Sequence, residues 1–262
     1  MSEGHIRVIV EGPICRIVLD QPAKMNAMNF DMWSALPDAL KRAEAEPGIR
    51  VITLEGAGDR AFCAGADISQ FGEKRTGEEA TRAYDRAIAN GMDALVNASK
   101  PTIALIRGIC FGGGMMLALA CDIRLGRGDS RFRLPAARLG LGYAHYNVAL
   151  MVQRIGVTAA SDILFSARIL DATEAHRAGV ASAMWNTDEF EERCKHYVGM
   201  IGANAPLTLA AIKRGLIELS RPETERNLAA VNTLVERCFT SADYREGQAA
   251  FREKRDPVFT GQ

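Results

Sequence analysis

Neither sign of charge is in excess in this chain. Lys+Arg and Asp+Glu number 32 each in 262 residues, a formal net charge of zero. With no basic run, that balance argues against nucleic-acid and membrane-surface partners and leaves room only for a local basic pocket. The six cysteines, Cys15, Cys63, Cys110, Cys121, Cys194 and Cys238, form no CxxC pair and no metal-ligand spacing. No apolar run is read as long enough to span a bilayer. No secretory signal is read at the start, where polar Ser2-Glu3-Gly4-His5 gives way to strand-like alternation. No glycine cluster has Rossmann or P-loop spacing, so nucleotide phosphate cradling is not expected. These absences predict a cytoplasmic protein with buried, reduced thiols and no metal.

What is present is an ordinary globular composition, 48% hydrophobic and 24% charged, with ample apolar area for a core. His5–Val10 and Ile14–Leu19 alternate around Glu11-Gly12-Pro13, which predicts a hairpin. Asn29 is placed to cap a helix with Met32, Trp33, Leu36, Leu40 and Ala43 on one face, and Pro37 predicts a late start or a kink in it. Val51–Leu54 and Thr102–Ile106 read as buried strands, Cys121–Leu125 and Arg131–Leu134 as further strands, and Glu78–Asn97 as a helix. This alternation indicates an α/β fold. From about Val180 the pattern turns helical: Asp188–Ile201, Leu207–Leu219, Glu223–Phe239 and Ala242–Lys254, with breaks at Pro206 and Pro222. The chain is divided accordingly into a core over 1–190 and a helical region over 191–262, with no low-complexity linker between them.

Two glycine-flanked segments carry the chemistry. In Ala61-Phe62-Cys63-Ala64-Gly65-Ala66-Asp67-Ile68, small residues admit a ligand close to the main chain. In Phe111-Gly112-Gly113-Gly114-Met115-Met116, three glycines precede an apolar helical stretch and put bare N–H groups at its positive end. Two such donors on one oxygen would stabilise charge developing in a transition state. Each segment alone reads equally well as a turn that packs.

Taken in order, these segments resemble the enoyl-CoA hydratase/isomerase, or crotonase, family nearly end to end. The resemblance includes Gln21-Pro22-Ala23-Lys24-Met25-Asn26-Ala27-Met28, Phe62–Ile68, Gly108–Gly114, Cys121-Asp122-Ile123 and Ala172-Thr173-Glu174-Ala175 with Gly179-Val180. It continues through Ala205-Pro206-Leu207 with Lys213, and Glu246-Gly247 through Phe251-Arg252-Glu253-Lys254-Arg255.

The resemblance implies a spiral of ββα units with a C-terminal helical trimerisation region, and a homotrimer or a dimer of trimers. It implies an acyl-CoA substrate, with coenzyme A part of that substrate and no separate cofactor. By position, Ala66 and Gly113 would supply the oxyanion N–H groups. Lys24 and Ala27 would lie near the nucleotide end of CoA, and Ala64, Asp67 and Ile68 along its adenine and pantetheine path. Phe251 and Lys254 would reach the CoA site of an adjacent subunit. Alone, the two lysines read equally as solvated surface groups, Phe251 as packing, and Asp67 as a helix cap.

Family hydratases use two glutamates, and the matching positions here read Met116 and Ala136. Neither side chain exchanges a proton. The following stretch, Leu139 to Asn147, is read as a loop carrying Tyr143 and His145, a hydroxyl and an imidazole suited to proton transfer. Some decarboxylases of the family place a tyrosine at the position of Tyr143. Three readings follow: an enolate-forming acyl-CoA enzyme, a methylmalonyl-CoA-type decarboxylase using Tyr143 and His145, and an acyl-CoA-binding oligomer without catalysis. Phe71, Met115, Met116 and Tyr143 are expected to shape the acyl pocket.

Overall fold

The computed structural model describes residues 4–70, 72 and 76–262, so Phe71 lies outside the described residues. The hairpin forms as expected. β1 (His5–Glu11) pairs antiparallel with β2 (Ile14–Asp20), and Gly12 takes φ +56° in the tight turn, a conformation glycine adopts without steric cost. Parallel strands then extend the sheet: β3 (Val51–Gly56), β5 (Thr102–Ile106), β7 (Ile123–Arg127) and β9 (Ala183–Trp185), in the order β1-β2-β3-β5-β7-β9. β4 (Ala61–Cys63), β6 (Ile109–Phe111) and β8 (Arg131–Arg133) form a second, three-stranded parallel sheet.

β3, β5 and β7 of the large sheet are each followed by one strand of the small sheet and then by a helix. α1 (Phe30–Ala45) follows the hairpin, α2 (Glu78–Val96) follows β4, α3 (Gly113–Ala120) follows β6, and α4 (His145–Ser166) follows β8. This is the spiral of ββα units expected from the resemblance. β3 runs past its predicted end because Glu55 is buried between two arginines, accepting from Arg16 Nε at 2.7 Å and Arg107 Nη1 at 3.0 Å; a buried carboxylate is tolerated when paired.

α1 starts where Asn29 caps it, its side chain accepting from Met32 N at 2.7 Å. Its five predicted inward residues are all buried, and Ala39 joins them. Pro37 neither delays nor ends the helix, which runs unbroken through it. Proline cannot donate to the carbonyl four residues back, here that of Trp33. α2 lies close to that carbonyl through Gly91, where a β-carbon would stand 3.4 Å from the Trp33 oxygen.

α4 was not expected. The stretch read as a loop, Leu139–Asn147, begins where a 3₁₀ turn (Ala136–Leu139) ends, and His145 within it is the first residue of a helix reaching Ser166. By length and composition that helix matches a bilayer span, contrary to the sequence reading. Its backbone breaks at Gly156 (φ 77°, ψ 164°), so neither half approaches the roughly 20 continuous residues a span requires.

α5 (Ala172–Arg177) carries a capping box, with Asp171 and Glu174 each accepting from the other's N–H. α6 (Phe190–Gly202) buries Phe190, Cys194 and Val198 against Val51, Ile103, Leu105 and Leu125 of the large sheet. α7 (Pro206–Leu219), α8 (Leu228–Thr240) and α9 (Ala242–Glu253) complete the chain. The single helix expected over Glu223–Phe239 is split. Glu223–Glu225 is a 3₁₀ turn, and Asn227 starts α8 afresh, its side chain accepting from Ala230 N while its own N–H donates to Glu218. Five cysteines are buried and Cys238 is half-buried, all as free thiols.

Candidate active site

The site is built where β4, β6 and α3 meet. Ala66 forms an isolated bridge with Met28: the Met28 N–H donates to Gly65 O at 2.7 Å, and the Asp67 N–H to Met28 O at 2.9 Å. That pairing turns the Ala66 N–H away from Met28. On the other side, the Gly112 N–H donates to Arg133 O and the Met116 N–H to Gly112 O, which leaves Gly113 at the open first turn of α3. Among the described residues, neither the Ala66 nor the Gly113 N–H donates to a protein acceptor.

The two segments touch. A β-carbon at Gly65 would stand 3.5 Å from the Gly113 nitrogen, and one at Gly113 would stand 3.7 Å from the Ala66 nitrogen. Gly65 has φ +111°, which a side chain rarely permits. Gly114 has no room for one, since its β-carbon would lie 2.3 Å from Cys63 O. Two free donors beside each other at a helix N-terminus are suited to an oxygen acquiring negative charge.

A buried amide pair holds this loop. Asn26, itself at φ +55°, donates to Ala57 O and Ala61 O and accepts from Gln21 N. Gln21 donates to Ala27 O at 2.9 Å and to Asp67 at 3.2 Å. Cys63 Sγ accepts from Gly65 N at 3.4 Å and donates to Gly65 O at 3.6 Å; burial pushes this thiol up to about 12. Sequence reasoning missed Gln21, Asn26 and Cys63 as supports of the site. Their only signal was position inside the two quoted motifs.

Lys24 and Asp67 meet at 2.7 Å, and Lys24 also donates to Ser69 Oγ at 2.7 Å. Asp67 is a buried cap, its Oδ1 accepting from the Ser69 N–H and hydroxyl. Burial works to raise its carboxyl, but Lys24 and Ser69 outweigh burial and hold it below the ordinary carboxylate range. Because the folded value is the lower one, this group stabilises the fold above about pH 4 and ceases to as pH falls through its folded value. Asp67→Asn is expected to cost about 1–2 kcal/mol at neutral pH and to flatten acid unfolding below pH 4, as read by denaturant melts across pH 2–7. Lys24 is half exposed, which limits the ion-pair share of that cost.

The remaining positions spread outward. Ala27 is buried, Ala64 half-buried and Ile68 75% exposed beside the loop. Met115 and Met116 are buried in α3, and Ala136 is buried at the start of its 3₁₀ turn. Tyr143 is part-buried against the core, and among the described residues its hydroxyl has no hydrogen-bond partner. Burial pushes that hydroxyl well above its ordinary value, so near neutral pH it is a proton donor and not a base. His145 is exposed.

Phe251 and Lys254 sit apart, on α9 and at its left-handed C-cap, and α9 packs on α8. Phe251 is 86% exposed and lines a cavity of about 440 Å³ with Leu207, Tyr244 and Phe259. The tail folds back over this helix: Arg255 pairs with Glu246 at 2.6 Å, and the Val258 N–H donates to the same carboxylate. These contacts bring the Glu246 carboxyl down to about 2. Among the described residues no three His, Cys, Asp or Glu side chains gather where a metal ion could sit.

The enoyl-CoA hydratase/isomerase family model matches residues 10–262. The chain belongs to that family. It is 32% identical to the carnitinyl-CoA dehydratase of Proteus mirabilis, with all of both chains covered. It is 28% identical to the short-chain-enoyl-CoA hydratase of Clostridium acetobutylicum, with 97% of each covered. Among solved structures, an enoyl-CoA hydratase/carnithine racemase from Magnetospirillum magneticum superposes with a TM-score of 0.93 at 35% identity, covering 100% of this chain and 97% of that one. The chain is therefore a crotonase-fold acyl-CoA enzyme of the hydratase family. It carries no aspartate or glutamate from Ala94 to Cys121 or from Ser130 to Ser161, the two stretches holding α3 and the Ala136–Leu139 turn.

Proposed function

We propose that the enzyme binds an acyl-CoA with its thioester oxygen between the Ala66 and Gly113 N–H groups and works through an enolate. The observation carrying this reading is that these two adjacent N–H groups have no protein acceptor. Hydrogen bonds to the thioester oxygen strengthen as charge moves onto it from the α-carbon, so they favour the transition state over the ground state.

The carboxylate-free stretches around Met116 and Ala136 set this chain apart from two-glutamate hydration. Proton transfer by a positioned group contributes about 10²–10⁴-fold, and a thioether and a methyl contribute none of it. Crotonyl-CoA hydration and carnitinyl-CoA dehydration are therefore expected to be slow. A crotonyl-CoA hydration rate typical of a good hydratase overturns this reading.

One observation favours a second reaction, the decarboxylation of a methylmalonyl-type thioester: the unpartnered, protonated Tyr143 hydroxyl. In that reaction the bond from the α-carbon to the carboxylate breaks. Its electron pair passes into the enolate, CO₂ leaves, and the α-carbon takes a proton from Tyr143 or His145. No base is needed to form the enolate. Methylmalonyl-CoA should release CO₂ above blank, and Tyr143→Phe should slow that release by about 10²-fold. Absence of CO₂ from the wild type removes this second reading.

The C-terminal helices support a homotrimer or a dimer of trimers. Ile212, Leu216, Leu219, Leu228 and Phe239 each expose more than half of their surface, an apolar excess that association would cover. Lys24 then lies toward the nucleotide end of CoA, with Ala27, Ala64, Asp67 and Ile68 along its path, and Phe251 and Lys254 reach a neighbouring subunit's site. The free, mostly buried thiols fit a reducing cytoplasmic setting.

A further inference from the structure

Beneath the two free N–H groups lies a third donor without a partner. Trp33 is 1% exposed, and among the described residues its indole N–H has no hydrogen-bond acceptor. Buried donors are nearly always paired, because an unpaired one forfeits its bond to water and gains nothing in return. The ring is wedged between two glycines. A β-carbon at Gly91 would meet its Cε3 at 3.2 Å, and one at Gly113 would meet its Cζ2 at 3.4 Å. Nε1 shares an indole edge with Cζ2, two bonds away, so the donor stands on the Gly113 side of the ring. The same Gly113 β-carbon position is 3.7 Å from the Ala66 nitrogen.

Met115 and Met116, buried in the same core, offer the donor no strong acceptor. The Tyr84 hydroxyl donates to Met28 O at 3.3 Å.

We propose that the Trp33 indole N–H is a specificity determinant of the acyl pocket, selecting acyl-CoA thioesters that carry an oxygen on the acyl chain over plain alkyl ones. This inference rests on the acyl-CoA reading above. A hydroxyl, oxo or carboxylate oxygen near the α- or β-carbon accepts the indole hydrogen bond. A plain alkyl chain offers it no acceptor and leaves the donor bare. Sites built around a buried polar group discriminate against ligands lacking its partner more strongly than apolar pockets discriminate by size.

The test compares 3-hydroxybutyryl-CoA with butyryl-CoA by calorimetry on the intact enzyme and on Trp33→Phe. Expected is about a tenfold weaker Kd for the hydroxyacyl thioester in the variant, with butyryl-CoA changed less than twofold. Equal losses for both ligands, or no loss for either, overturn the proposal. A second measurement needs no change at Trp33. The chain has two tryptophans, so Trp185→Phe assigns the Trp33 indole ¹⁵N–¹H resonance. That resonance should move downfield with 3-hydroxybutyryl-CoA and stay in place with butyryl-CoA, and an unmoved resonance with both overturns the proposal. Butyryl-CoA binding to the wild type reports separately on the acyl-CoA reading. If neither thioester binds, that reading fails and this inference fails with it.

Discussion

Ala66→Pro is expected to lower kcat on the enzyme's acyl-CoA substrate by about 10²–10³-fold, the loss associated with deleting one oxyanion donor. Proline removes the N–H and puts a ring carbon in its place. The Ala66 N–H makes no bond within the protein among the described residues, so the fold loses no hydrogen bond. The preceding residue is Gly65, whose missing β-carbon relieves most of the clash that proline imposes on its predecessor. Saturated acyl-CoA binding should weaken too, because the ring carbon crowds the thioester oxygen, but the larger loss should fall on kcat, since the donor acts chiefly on charge that develops in the transition state. Ala66→Gly keeps the N–H and should keep most of the rate. Steady-state kinetics with a parallel binding isotherm separates the two effects. A proline variant within threefold of wild type would remove Ala66 from the catalytic machinery.

The largest expected effect on stability lies away from the site. Lys213 of α7 is buried and donates to both oxygens of Asp122, at 2.6 and 2.7 Å. Asp122 also accepts from the Thr102 N–H and hydroxyl, so one carboxylate joins the ends of β5 and β7 to the C-terminal helices. Removing one partner of a buried pair leaves an uncompensated charge and costs about 3–5 kcal/mol. Lys213→Met should therefore lower Tm by about 6–20 °C, at roughly 2–4 °C per kcal/mol for a domain of this size. The double variant with Asp122→Asn should recover part of that loss, because no charge is then left behind. Calorimetry of the three proteins checks this. Equal loss in the single and double variants would mean that packing of the lysine stem, rather than the ion pair, sets the effect.

Local pattern accounts for much of the fold. The spacing of Met32, Trp33, Leu36, Leu40 and Ala43 marked the buried face of α1, and Asn29 marked its start. The apolar run Thr102–Ile106 matched β5 residue for residue. α4 escaped because it lacks an amphipathic signature: its polar residues, among them Asn147, Arg154, Thr158 and Asp162, are spread around it, it buries only Leu150, Met151, Ala160 and Ile163, and it leaves Val157 and Phe165 exposed. A helix with no polar stripe cannot be phased by a period of 3.6. The split before α8 escaped because the acceptor that turns Asn227 aside, Glu218, belongs to the preceding helix.

The parts of the site that depend on a single residue's chemistry are legible along the chain. Glycines at 65 and 112–114 permit bare main-chain donors. Methionine at 116 and alanine at 136 bring no exchangeable proton. Which donors stay free, and what surrounds them, depends on contacts that exist only once the chain has folded. The Met28–Ala66 bridge, the β4–β6 pairing and the packing of Gly65 against Gly113 each join residues distant in the chain. The burial that raises the Tyr143 hydroxyl further and leaves the indole N–H of Trp33 unpaired likewise comes from packing between distant segments. A hydrogen-bonding group's worth depends on which acceptors and how much water lie around it, and that is a property of the folded neighbourhood.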